Sequence, residues 1–170
     1  GMANMGNSLV KSQLEEVCSF LGTTVNVLEE YLNAATQESL QLEQSADEEY
    51  YKSLLTNLRR SVVYCEEGYE ACKIVLNNEV FHKIAAEKTL YKIYHQCIEE
   101  FFSPKNDCWY EDSRSAYTGK NSIKFHQEVA PSLSGLIKQL EGGFQSVRED
   151  LEYYETEYNK KMINPGNMKI

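Results

Sequence analysis

Long apolar runs are missing from this sequence. None approaches the roughly 20 residues that a bilayer-spanning helix needs, and the amino terminus lacks the basic stretch followed by an apolar one that marks a secretory signal. Gly1 ahead of Met2 reads as the scar of a cleaved tag and is set aside. Basic charge is also short, with 17 Lys and Arg against 26 Asp and Glu, a net charge of −9. Such a field repels phosphate backbones and anionic membrane surfaces. The basic groups are scattered, Arg59–Arg60 and Lys160–Lys161 being the adjacent pairs, so neither nucleic acid nor membrane is expected as a partner. The five cysteines are an odd number and form no metal-binding pairs. Cys65 and Cys72, two helical turns apart, stand about 10.5 Å from each other, too far for a disulfide. Free, mostly buried thiols in a reducing cytoplasm are the expectation, with Cys108, beside Trp109, outside the core.

What is present is helical periodicity. Apolar residues make up 42% and charged residues 25% of 170 positions, the balance of a folded chain long enough for one buried core. Tyr51, Leu55, Leu58, Val62, Cys65, Tyr69, Cys72 and Leu76 alternate gaps of four and three, the spacing that keeps one helix face against a partner. Leu14, Cys18, Leu21, Val25, Leu28, Leu32 and Ala35 do the same, preceded by Asn7 or Ser8 as cap. Gly22 in that stretch predicts a bend or a close helix contact. Ser45 to Glu48 reads as a capping box for the second helix, which Asn77–Asn78 ends.

The third helix runs to Phe102, stopped by Pro104. The fourth starts after Pro131, with proline in its first turn or Ser132 as cap, and carries Leu133, Ile137, Leu140, Phe144, Val147, Leu151, Tyr154 and Tyr158, with a kink expected at Gly142–Gly143. The predicted fold is therefore all-α: one four-helix up-down bundle over residues 7–163, a long loop or small hairpin between helices 3 and 4, and a frayed tail over 164–170. Leu58, Val62, Tyr69, Leu140 and Phe144 are expected inside, and Glu15, Glu29 and Glu152 outside. Helix 4 is expected to return antiparallel, with the connecting segment capping the end formed by Phe101, Phe102 and Leu133.

That connection, Ser103 to Pro131, is about twice the length at which a structureless loop becomes unusual. Thr118 to Asn121 reads as a turn between runs Ser115–Tyr117 and Ser122–Phe125, which are suited to pair as a hairpin. It holds the sole tryptophan together with tyrosine and arginine, the residue types enriched at binding hot spots. Trp109, Tyr110, Arg114, Tyr117 and Lys120 are therefore the expected partner-binding residues, with Trp109 as anchor and Arg114 as a fork for a partner carboxylate. The alternative is that Trp109, Tyr110 and Phe125 simply pin the loop to the bundle. The run Trp109-Tyr110-Glu111-Asp112-Ser113-Arg114, then Tyr117-Thr118-Gly119-Lys120-Asn121, together with Glu152-Tyr153-Tyr154-Glu155-Thr156-Glu157-Tyr158, resembles the YpuI-like family of small proteins from Bacillus and related bacteria. The resemblance covers most of the chain. It implies a bacterial cytoplasmic protein and brings no activity and no catalytic residues.

Chemical motifs are few. Glu79 and His82 match the Glu-x-x-His spacing of carboxylate-bridged metal bundles, in which positions i and i+3 share a helix face. Such sites need the motif twice, and neither His95 nor His126 repeats it. His95 and Glu99 read as a surface pair. Arg59, Arg60, Arg114 and Arg148 lack the histidine four to six residues on that small helical RNases use, and Gly119–Lys120 lacks the rest of a phosphate-binding loop. Six of the tyrosines lie on the ladders, where core packing is their expected role. The function expected is a non-enzymatic protein-interaction or adaptor module that needs no cofactor, binds a basic protein partner and is compatible with a homo-oligomer. The alternative is a metal-dependent helical-bundle enzyme using Glu79 and His82.

Overall fold

The first ladder forms α1 (Asn7–Ala34), which turns Val10, Leu14, Val17, Leu21, Val25 and Leu28 inward. Its N-cap is Gly6, with no side-chain bond, so neither Asn7 nor Ser8 caps it. The computed structural model describes residues 6–112, 121–158 and 160. At Thr36 the backbone swings to an extended conformation, and a reciprocal Thr36–Ser39 capping box starts a separate short helix, α2 (Gln37–Glu43). Gln41 then bonds both the N–H and the C=O of Ala46. That holds the next stretch out of helical register, so α3 (Glu48–Leu76) is capped by Asp47 rather than Ser45. Asp47 Oδ1 accepts from the N–H groups of Glu49 and Tyr50 at 2.8 and 3.2 Å.

Beyond the break at Asn77–Asn78 the chain continues as α4 (Lys83–Ile93), a π-helical segment over Tyr94–Glu99, and α5 (Glu100–Phe102). Strands β1 (Trp109–Glu111) and β2 (Ile123–Phe125) pair antiparallel, Trp109 opposite Phe125 and Glu111 opposite Ile123. The chain closes with α6 (Pro131–Asp150) and the single turn α7 (Glu152–Glu155).

Helix α1 packs chiefly along α3. The contact is close because Gly22 faces the Tyr69 ring, where an added Cβ would come within 3.0 Å. Helix α6 runs antiparallel to α1, since the Gln13 amide donates to the carbonyl of Asp150 at one end and the Tyr31 hydroxyl meets Ser132 Oγ at the other. The segment Lys83–Phe102 runs antiparallel to α6 and α7: Tyr91 packs on Tyr158, while Phe101 stacks on Phe144 at 4.0 Å with the rings 4° apart.

These elements correct the four-helix bundle. The chain forms more than four helical segments, because Thr36 and Leu151 interrupt the first and last expected helices, and the connection between the third and fourth contains a two-stranded sheet. The second strand falls in the expected Ser122–Phe125 run. Its partner is Trp109–Glu111, and Ser115–Tyr117 lies outside the described residues, as does the tail 164–170. Helix α6 is unbroken through Gly142–Gly143, and Gly143 lets the Phe20 ring approach to 2.9 Å of where a Cβ would stand. Leu58, Leu140 and Phe144 are buried and Glu15, Glu29 and Glu152 exposed, whereas Val62 and Tyr69 are half-buried. All five cysteines are free, and Cys108 is buried with the core rather than outside it.

Candidate functional site

The hairpin is bolted to the helices by polar side chains from α3 and α6. Tyr50 and Tyr51 open α3 side by side, and each hydroxyl bridges two backbone groups. Tyr50 donates to the carbonyl of Cys108 at 2.7 Å and accepts from His126 N–H at 2.9 Å. Tyr51 donates to the carbonyl of Gln44 at 2.6 Å and accepts from Ala130 N–H at 3.0 Å. From α6, Glu141, only 3% exposed, accepts from the N–H and hydroxyl of Ser122 at 2.9 and 3.1 Å and from Ile123 N–H at 3.4 Å. A buried carboxylate is tolerated where its oxygens are this well satisfied.

Beside the hairpin, a cleft of about 440 Å³ opens between the π-helical segment and the α6–α7 junction, lined by Tyr94, Glu99, Phe102, Glu111, Arg148, Glu149, Glu152 and Glu155 among others. Five glutamates face one arginine there. Arg148 makes a two-pronged bond to Glu111 at 3.0 and 2.7 Å, a further bond to Gln145 at 2.6 Å, and lies 3.6 Å over the Phe102 ring. Burial opposes its charge, but the Glu111 pair more than offsets this and the net shift of its pKa is upward. The guanidinium is thus stacked, forked and fully ionised. Burial, and then hydrogen bonding and charge from Glu155, push the Tyr94 phenol well up. That makes it a poor general base at neutral pH.

π-Helical turns often occur at functional sites, and this one has a visible local cause. Leu90, Tyr94, Ile98 and Phe102, and likewise Ile93, Cys97 and Phe101, recur at intervals of four, and all are buried. An α-helix of 3.6 residues per turn would rotate such a series steadily off the core. Wider winding over Tyr94–Glu99 keeps both series inward, and it places Tyr94 and Glu99 on one wall of the cleft.

The residues expected to form a binding surface do not all share one. Trp109 is 1% exposed, packs between Phe101 and Phe125, and donates its indole N–H to the carbonyl of Phe101 at 2.6 Å. It is a support, not an exposed anchor. Tyr110, 46% exposed, points to the other side of the strand and lies 5.4 Å from the His126 ring. Arg114, Tyr117 and Lys120 lie outside the described residues. Glu79 and His82 sit in the non-helical connection 77–82, so the shared-face argument for a metal pair fails. Among the described residues no cluster of three or more His, Cys, Asp or Glu side chains is arranged to hold a metal ion, and no helix is long and apolar enough to cross a membrane. His95 and Glu99 do pair, at 2.6 Å. Sequence reasoning missed the cleft itself, because its glutamates come from four separate elements. The four-residue recurrence of Leu90, Tyr94, Ile98 and Phe102 is the one sequence signal, unread there, that bears on this wall.

No solved structure matches this chain. It is 47% identical over 151 residues to a Bacillus subtilis (strain 168) protein described as "Uncharacterized protein YpuI", covering 89% of this chain and 84% of the relative. The family model described as "Protein of unknown function (DUF3907)" matches residues 14–160, and the chain belongs to that family.

Proposed function

We propose that this protein is a non-enzymatic binding module whose acidic cleft receives a cationic side chain from a basic segment of a protein partner. The observation that supports this reading is Arg148 itself. The cleft already holds one guanidinium by the means a partner arginine would use, a carboxylate fork and an aromatic face. Exposed carboxylates of Glu149 and Glu152 stand at its edge. Their charge steers basic partners and disfavours nucleic acid. Tyr110, with Arg114, Tyr117 and Lys120, is proposed as a second set of contacts, with Trp109 holding the strand that carries Tyr110.

The test is affinity capture from a Bacillus lysate, followed by titration of the captured partner's basic segment. The Glu149→Gln/Glu152→Gln variant is expected to weaken binding about tenfold or more, and wild-type binding to weaken with added salt. Unchanged capture by that variant would remove the cleft from consideration. A parallel Tyr110→Ala/Arg114→Ala/Tyr117→Ala variant tests the hairpin contacts separately, and undiminished capture there would confine recognition to the cleft.

A further inference from the structure

Away from the cleft, α3 and α4 present a face that none of the other described residues covers. Val63, Glu67, Glu70 and Ile74 follow one another along the exposed side of α3 at steps of four, three and four, and Ile84, Lys88 and Lys92 do so along α4 at steps of four. Ile74 is 73% and Ile84 71% exposed, and Val80 in the connection between the helices is exposed as well. Between the two ridges runs a groove of about 280 Å³ whose lining includes Gly68, Ala71, Ile93 and Cys97. Gly68 sits against Ile93, and the Cys97 thiol donates to the carbonyl of Tyr64. These contacts fix the relative heights of the antiparallel pair, so that Lys92 stands level with the turn carrying Glu67 and Glu70.

We propose that this face is a self-association surface on which a second copy of the chain docks about a two-fold axis parallel to α3 and α4. The ridges carry opposite charge: Glu67 and Glu70 on α3, Lys88 and Lys92 on α4. Among the described residues, the ion pair of Glu70 is an exposed one within its own helix, to Lys73 at 3.8 Å. A two-fold axis in that direction lays each α3 over the partner's α4 at the same height. Both acidic ridges then meet basic ridges, and the exposed isoleucines at the α3–α4 end cover one another. Isologous contacts require this self-complementarity, and a partner of uniform charge would match only one ridge. Elsewhere two copies of net charge −9 repel, so contact is favoured where the sign alternates. The groove shares no lining residue with the acidic cleft, so docking there leaves the cleft open.

The experiment is sedimentation equilibrium on the full chain from about 1 µM to about 1 mM, which spans the dissociation of moderately stable interfaces. Wild type is expected to dimerise. Glu67→Lys/Glu70→Lys makes the face wholly basic and Lys88→Glu/Lys92→Glu makes it wholly acidic. Each is expected to weaken self-association more than about tenfold, and an equimolar mixture of the two is expected to restore a dimer containing one of each. Ile84→Ser, at a site with no buried contact to lose, is a second disrupting variant should a charge reversal disturb folding. A wild type that stays monomeric throughout, a dimer indifferent to these changes, or a mixture that fails to associate would overturn the proposal.

Discussion

Glu141 decides more about the hairpin than any residue within it. It sits on the inward side of α6 and supplies the acceptors for Ser122 N–H, Ser122 hydroxyl and Ile123 N–H, while Gln145 one turn on donates to the same hydroxyl. Glu141→Ala removes those acceptors without giving the donors water, so it is expected to cost about 2–4 kcal/mol in urea unfolding. Glu141→Gln, which keeps one carbonyl oxygen, is expected to cost less. A variant as stable as wild type would show that β2 is held elsewhere. Thiols act on the same scale through ionisation. Burial first pushes Cys72 and Cys108 up to about 12 from 9.0. Their folded pKa lies above the unfolded one, so their contribution is complete below pH 9.0. It is lost as the pH climbs towards 12, because the unfolded chain then binds fewer protons. Unfolding free energy is therefore expected to fall above pH 9, by up to about 1.4 kcal/mol per pH unit for each thiol, and Cys108→Ala should flatten that slope. The core ladders announced buried residues such as Leu58 and Phe144 because burial follows period. Glu141 was invisible, since its partners lie 18 and 19 positions away and its own residue type argues for the surface.

Among the elements, the π-helical segment over Tyr94–Glu99 is the least ordinary. Bonding from i to i+5 holds more residues per turn than an α-helix, so this stretch contains a spare residue between flanks that are both held to the core. Deleting Gln96 is therefore expected to leave an α-helix with Phe101 and Phe102 still inward and a cooperative thermal transition. Deleting Glu66 in α3 should rotate everything beyond it by about 100° and abolish that transition. Circular dichroism melting of the two deletions checks the contrast, and equal damage would refute it. The break at Asn77–Asn78 and the strand at Ile123–Phe125 were legible because turn residues and a short β-branched or aromatic run mark them locally. Helix α2 and the true cap at Asp47 were not. Thr36 and Ser39 form their box only once the backbone turns there, and Ser45 was a plausible cap until Gln41 held Ala46 extended.

At the scale of the whole molecule, the paired tyrosines at the start of α3 join the sheet, α2 and α6 to the helical core. Tyr51 reaches Gln44 on one side and Ala130 on the other, and Tyr50 spans Cys108 and His126. The β1–β2 ladder is therefore expected to open only with the core, so its amides should show hydrogen-exchange protection close to that of α3. Tyr50→Phe/Tyr51→Phe should lower hairpin protection more than protection of α3. Equal loss at both would show that these two hydroxyls are not what ties the hairpin to the core. Packing of the long connection onto the helices was beyond a periodicity argument, because its anchors are single hydroxyls rather than a repeating face. The position of Trp109 has an optical consequence. As the sole indole in the chain, held by Phe101 and Phe125 with its N–H engaged, it should emit at short wavelength when folded and shift to the red when the hairpin lifts. The rings of Tyr91, Tyr153, Tyr154 and Tyr158 gather around α7, so near-ultraviolet dichroism there would follow the other end of the molecule. One unlabelled sample thus carries two colours of reporter, one for each end.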